Sequence, residues 1–156
     1  MKNYQTSEIK NVVLLGAPGS GKTTFAEAMA FEGKVIDRRG SIENENTLSD
    51  NTDLEHSNRR SIYSTILYTE FMNHKLNIID APGSDDFSGG LFAAFKVADV
   101  GLMLFNAQNG FEVGSEIQSR YAKTYNVPLV GVINQLDSEK ANWEGTLESI
   151  ASFSKV

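Results

Sequence analysis

The sequence of 156 residues has no cysteine, which excludes a disulfide scaffold, a thiolate metal site and a cysteine nucleophile. No apolar run approaches the roughly 18 residues of a transmembrane helix, and the polar residues 1–8 lack the apolar centre of a signal peptide. Basic residues are few: 14 Lys and Arg against 20 Asp and Glu give a net charge of −6, which argues against a general nucleic-acid surface. These absences predict one cytoplasmic domain, with neither DNA nor a membrane as partner and no feature that demands more than a monomer.

Apolar strands alternate with helix-forming segments along the chain. The runs 11–15, 98–106 and 128–134 predict buried strands, the last two covered on both faces. Residues 61–70 and 75–80 predict an antiparallel pair joined by the connection 71–74. Helices are predicted at 22–31, 89–97, 111–125 and 138–152. This order predicts an α/β fold: a doubly wound, mostly parallel sheet with one antiparallel edge strand and helices on both faces.

A long polar stretch separates the first predicted helix from the antiparallel pair. Residues 41–53 are turn-forming and almost free of apolar side chains, which predicts a loop over about 38–60. The loop's acidic residues match no cation-loop spacing and are expected to be solvated; they are Glu43, Glu45, Asp50, Asp53 and Glu55. His56 and His74 are expected to be solvated too, and Trp143 to pack against the sheet.

The segment from Gly16 to Thr23 fits the phosphate-loop pattern G-x-x-x-x-G-K-[ST], between a predicted strand and a predicted helix. Backbone amides and the helix amino terminus in such a loop attract a β-phosphate. We expect Lys22 to contact the β- and γ-phosphates and the Thr23 hydroxyl to ligate Mg²⁺. The predicted nucleotide-binding residues here are Gly16, Ala17, Pro18, Gly19, Ser20, Gly21, Lys22, Thr23 and Thr24.

Two later strand ends add candidates. Asp80 ends an apolar strand before Pro82 and Gly83; its carboxylate would hold Mg²⁺ through water, and the Gly83 amide would reach a γ-phosphate. Asn134, Gln135 and Asp137 end another strand and resemble the Asn-Lys-x-Asp motif of guanine-nucleotide proteins, with Gln in place of Lys. A carboxylate at Asp137 would accept hydrogen bonds from guanine N1 and N2, a donor pair that adenine lacks.

Together, these motifs and their order resemble the G domain of translational GTPases, most closely elongation factor G. Residues 85–87, Asp-Asp-Phe, and residues 106–113 are also similar to that family. The resemblance implies a P-loop NTPase fold, GTP or GDP with Mg²⁺ as ligands, and the ribosome as partner of the full-length protein. It also places Ser61 where the family has a Mg²⁺-ligating threonine. On this resemblance the domain spans 1–156 and ends before the family's last base-binding loop, so we expect it to bind nucleotide less tightly than an intact protein.

Two positions depart from the family. Ser84 stands where the family has a histidine that positions the attacking water, so this catalytic position is expected to be inactive and GTP hydrolysis slow or absent. Arg59 and Arg60 stand where the family usually has glycine before Ser61, and either would reach phosphates or ribosomal RNA. Two alternatives stay open: a GTP-dependent conformational switch without catalysis, and a small P-loop phosphotransferase, which would need a Lys- and Arg-rich lid.

Overall fold

The computed structural model describes residues 2–58, 61–84 and 88–154, and a short 3-10 helix, Thr6–Glu8, precedes the first strand. The strands of this part of the chain are β1 (Ile9–Leu15), β2 (Thr65–Phe71), β3 (His74–Asp80), β4 (Val100–Asn106) and β5 (Leu129–Asn134). Its α-helices are α1 (Lys22–Glu32), α2 (Asp53–Asn58), α3 (Ser88–Val97), α4 (Val113–Thr124) and α5 (Trp143–Ser154). None of the helices in the described ranges combines the length and the apolarity that a membrane crossing requires.

The strands form one sheet in the order β2-β3-β1-β4-β5. Strand β1 pairs in parallel with β3 and β4, and β4 pairs in parallel with β5, whereas β2 runs antiparallel to β3 at one edge. The predicted α/β fold with a mostly parallel sheet and one antiparallel edge strand is therefore confirmed. Parallel strands carry their carboxyl ends to one edge, where ligands of such folds bind.

Alternation along β1 builds the core on both faces of the sheet. Val13 and Leu15 point to one face and pack with Phe95 of α3, and the same cluster includes Ala122 of α4. The intervening residues, Val12 and Leu14, point to the opposite face and pack with Ala26 of α1. Because successive strand residues alternate, β1 is covered by helices on both sides.

Strand β5 and helix α5 are more exposed than the sequence predicts. Leu129 and Val130 of β5 are exposed, because in the described part of the chain β5 is the edge strand and pairs with β4 alone. The prediction that 128–134 is covered on both faces is thus wrong. Trp143, at the start of α5, is 50% exposed, so the prediction that it packs against the sheet is wrong. Residues 138–142 are not helical, and a turn spans 139–140, so α5 starts at 143 and not at 138.

Candidate functional site

The loop between β1 and α1 is held open by contacts on several sides. Gly21 has a φ of +88°, and a Cβ there would lie 2.5 Å from Nδ2 of Asn134, so this position requires glycine. The Gly16 amide donates to Oε1 of the buried Gln118 on α4 at 2.7 Å. The loop therefore surrounds a concave space that faces the amino terminus of α1, the end where free amides attract an anion.

Lys22, the first residue of α1, turns back over this loop. Its Nζ donates to the carbonyl oxygens of Gly16 at 2.9 Å and Ala17 at 3.1 Å. Burial lowers the pKa of Lys22 to about 8, although attraction by Asp80 and Asp50 acts in the opposite direction. A phosphate placed in the loop would restore full charge to this ammonium group, because an adjacent anion favours the protonated form.

Two hydroxyls and a carboxylate meet beside Lys22. Thr23 Oγ1 donates to Oδ2 of Asp80 at 2.9 Å and lies 3.2 Å from Oγ of Ser61. Asp80 is only 1% exposed. Burial raises the pKa of Asp80, and the Ser49 hydroxyl, the Thr23 hydroxyl and the Lys22 ammonium offset part of that rise. The three residues predicted to ligate the metal thus converge at one point.

Asp50 joins this cluster, which the sequence did not predict. It is 6% exposed, and burial raises its pKa, partly offset by the nearby Ser61 hydroxyl. Among the described residues, Oδ1 of Asp50 and Oδ1 of Asp80 are buried without a partner in ordinary hydrogen-bond geometry. Such unpaired oxygens are costly unless a cation or donor satisfies them. The oxygen donors of this cluster therefore fit Mg²⁺.

Glu55 of α2 folds the polar stretch around the cluster. It is 2% exposed, and its carboxylate accepts the amides of Ile62 at 3.1 Å and Tyr63 at 3.2 Å. These bonds fix the backbone immediately after Ser61. The predictions that Asp50 and Glu55 are solvated are wrong, because both carboxylates are buried: Glu55 accepts backbone amides, and the Ser61 hydroxyl lies near Asp50. Within the stretch predicted as a loop, residues Asp53–Asn58 form helix α2. Glu43, Glu45 and Asp53 lie exposed, as predicted.

The turn after β3 lies against the phosphate loop. A Cβ on Gly83 would lie 2.5 Å from Nζ of Lys22 and 2.9 Å from the backbone nitrogen of Pro18. Pro82 is buried, and Ser84 is half-buried beside Gly83. Gly83 therefore packs against the loop at a distance that only glycine permits.

These groups enclose one cavity of about 300 Å³. Phosphate-loop residues, the turn after β3 and residues from the polar stretch all contribute to its wall. The lining residues are Pro18, Gly19, Gly21, Lys22, Thr23, Thr24, Ile42, Glu43, Asp50, Ser61, Gly83, Ser84 and Gln135. Arg59, Arg60 and the Asp-Asp-Phe at 85–87 lie outside the described residues.

The segment after β5 lies against the phosphate loop. Asn134 Nδ2 donates to the carbonyl oxygen of Ser20 at 2.9 Å, and Gln135 Nε2 donates to that of Gly19 at 2.8 Å. Gln135 Oε1 in turn accepts from Nδ2 of Asn106 at 2.8 Å. Asp137 is exposed on the turn that follows. Two motifs more than a hundred residues apart are thus joined by direct hydrogen bonds.

Comparison with known proteins identifies the family. Residues 7–155 match the family described as "Elongation factor Tu GTP binding domain". The chain belongs to this family. Its sheet, with the glycine-rich loop between β1 and α1, has the P-loop GTPase fold.

Individual relatives agree with the family match. The chain is 32% identical over 155 residues to elongation factor G of Dehalococcoides mccartyi, covering 99% of this chain and 22% of that protein. It is 27% identical to the mitochondrial ribosome-releasing factor 2 of Candida dubliniensis, covering 96% of this chain and 19% of the relative. A crystal structure of a Thermus thermophilus protein superposes with a TM-score of 0.90 at 31% identity, covering 95% of this chain and 22% of that one. The chain therefore spans about a fifth of the length of these relatives.

Proposed function

We propose that this domain binds GTP and GDP together with Mg²⁺, as the GTP-binding domain of an elongation factor G-like translation factor that acts on the ribosome. The observation that carries the proposal is the pair of hydrogen bonds from Asn134 and Gln135 to the phosphate loop. They put the turn bearing Asp137 next to the loop that would hold the phosphates, so one ligand would contact both.

The phosphate end of the ligand would be held by the loop amides and by Lys22. Lys22 lies 2.9 Å from the carbonyl of Gly16 and adjoins Gly83, so a small movement would transfer its donors to phosphate oxygens. Thr23, Ser61 and Asp80 would hold Mg²⁺, with Asp50 next to them. When bound, the ion would neutralise phosphate charge and link the polar stretch to the loop.

Base selectivity would come from Asp137. We expect the protein to prefer GTP to ATP by at least about 100-fold, because guanine supplies two N–H donors to the carboxylate and adenine leaves it unpaired. Asp137→Asn should lower GTP affinity by about 10- to 100-fold in calorimetric titrations with Mg²⁺. Glu139→Gln, an exposed change two residues away, is the control and should bind GTP like the wild type. Equal affinity of the wild type for ATP would contradict the proposal and favour the phosphotransferase alternative.

The hydrolytic step is proposed to be slow or absent because of Ser84. Serine is short and a poor proton acceptor near neutral pH, so it cannot orient and polarise an attacking water as the family's histidine does. Losing such a group costs roughly 10²–10⁴ in rate, or about 3–5 kcal/mol of barrier. Ser84 lines the same cavity as Lys22 and Gly83, which supports assigning it to the phosphate end.

The test is multiple-turnover phosphate release by the full-length protein in the presence of ribosomes. Ser84→His is expected to raise the release rate by about 10²-fold or more. Ser152→His, on the exposed surface of α5, adds the same side chain elsewhere and should leave the rate unchanged. A wild-type rate equal to that of a histidine-bearing relative would overturn the hydrolysis proposal. No gain in the Ser84→His protein would refute Ser84 as the source of the defect and favour a switch without catalysis.

A further inference from the structure

Glu27 is a buried carboxylate on α1 that the nucleotide site itself does not use. It is 1% exposed, and its two oxygens accept backbone amides from the polar stretch: Oε2 accepts from Gly40 at 2.9 Å, and Oε1 accepts from Leu48. The described residues give it no ion pair. A buried charge is tolerated only when donors compensate for the lost water, and here both donors belong to residues 40–48.

The position of Glu27 on α1 connects it to the side-chain cluster of Thr23, Ser61, Asp80 and Asp50. Glu27 follows Thr23 by four residues, so the two side chains lie on the same face of the helix. Thr23 contacts Asp80 and Ser61, while Glu27 contacts the backbone of the stretch that carries Asp50. One face of α1 thus carries both the Thr23 hydroxyl and the Glu27 carboxylate that holds residues 40–48.

The segment between Gly40 and Leu48, the two residues held by Glu27, forms part of the cavity wall. Ile42 and Glu43 lie between the two amides that Glu27 holds, and both line the 300 Å³ cavity. Asp50 follows Leu48 by two residues and is buried beside Ser61. If Gly40 and Leu48 were released from α1, these residues would lose their fixed place over the phosphate and metal region.

We propose that Glu27 is a positioning residue: it ties residues 40–48 to α1 and thereby sets the Mg²⁺-dependent part of nucleotide binding. The proposal rests on the proposed function for its nucleotide readout. Glu27 is not among the residues that line the cavity; it acts through the backbone of the segment. Its loss would weaken the contribution of the Asp50 and Ser61 region and leave the phosphate loop intact.

The first experiment needs no nucleotide. Amide hydrogen exchange of Gly40 and Leu48 is measured by NMR in the wild type, Glu27→Gln and Glu32→Gln. Glutamine keeps one acceptor but brings an NH₂ group toward the two amides, so exchange at these positions should accelerate about 10-fold or more. Glu32 is exposed on the same helix, and its variant should exchange like the wild type. Unchanged exchange at both amides in Glu27→Gln would overturn the proposal.

The second experiment measures the affinity for GDP and for a non-hydrolysable GTP analogue, with Mg²⁺ and with EDTA. Glu27→Gln should reduce the gain in affinity that Mg²⁺ produces by about 10-fold, while affinity in EDTA stays near the wild-type value. An equal loss with and without Mg²⁺ would indicate a merely structural role and would overturn the proposal.

A further variant covers the case in which Glu27→Gln fails to fold. Glu27→Asp keeps the charge but is one methylene shorter, so it should reach one amide and show smaller changes of the same kind. Wild-type behaviour of Glu27→Asp in both experiments would contradict the proposal. If the wild type bound no guanine nucleotide, the proposed function would fail, and the exchange experiment would still decide the role of Glu27 in holding the segment.

Discussion

At the scale of single residues, the site depends on acidic side chains that the fold removes from water. Asp50 and Asp80 each retain a buried oxygen without an ordinary hydrogen-bond partner, and burial raises the pKa of both. Glu55 is equally hidden but accepts several amides. Burial raises the pKa of Glu55, yet hydrogen bonds from Ile62, Thr52 and Tyr63 outweigh that effect and hold it below the ordinary value. The donors around each carboxylate therefore distinguish Glu55, whose charge is compensated by hydrogen bonds, from Asp50 and Asp80, whose charges are compensated less completely.

Glu55 should make the folded state sensitive to acid. Because its pKa is lower in the folded protein, its contribution to stability is present above its unfolded value of about 4.5 and is lost as the pH falls through the folded pKa. Glu55→Gln should lower the free energy of unfolding by about 2 kcal/mol at pH 7. The difference from wild type should shrink between pH 5 and pH 3, as measured by urea denaturation.

Asp53→Asn is the matched control for this prediction, because Asp53 is exposed on the same short helix. A stability difference between wild type and Glu55→Gln that stayed constant from pH 7 to pH 3 would contradict the assignment.

At the scale of elements, local signals made the β1–α1 unit predictable and left the polar stretch unpredictable. The phosphate loop is encoded by glycines at fixed spacing before a helix-forming run, so its place could be read directly. The fold of residues 38–58 depends on distant partners instead: Glu27 on α1 holds Gly40 and Leu48. A stretch with few apolar side chains gives no periodic signal for such contacts, and the burial of Asp50 could not be foreseen.

In the antiparallel pair, likewise, the connection between the strands could be predicted from local sequence, whereas the start of β2 could not. A short connection at 71–74 was predicted, and Met72 and Asn73 form it with φ values of +46° and +63°. The start of β2 was placed four residues too early, at Ser61. Thr65 pairs with Asp80, the last residue of β3, so the ladder ends where its partner strand ends. That register frees Ser61 to lie beside Thr23, and no propensity of residues 61–64 predicts it.

At the scale of the whole molecule, the parallel sheet brings distant motifs to one edge. The loop after β1, the turn after β3 and the segment after β5 all leave the carboxyl ends of their strands. Sequence order alone predicted this meeting because parallel strands share an edge. The hydrogen bonds that join Asn134 and Gln135 to the loop make the proposed nucleotide site part of the tertiary structure. Occupancy of that site and stability of the fold should therefore be coupled.

Guanine nucleotide should therefore stabilise the whole domain. A ligand that binds only the folded state adds about 2.7 kcal/mol at a concentration 100 times its Kd. For a chain of this size such a gain corresponds to a Tm increase of roughly 5–10 °C. Mg²⁺ with GDP or GTP should produce it in a thermal unfolding scan, whereas the same concentration of ATP should produce little. Lys22→Ala should abolish the shift by removing the phosphate-binding cation, and Lys2→Ala, an exposed change far from the loop, should preserve it. A GTP shift that survived in Lys22→Ala would mean that the ligand binds outside the phosphate loop.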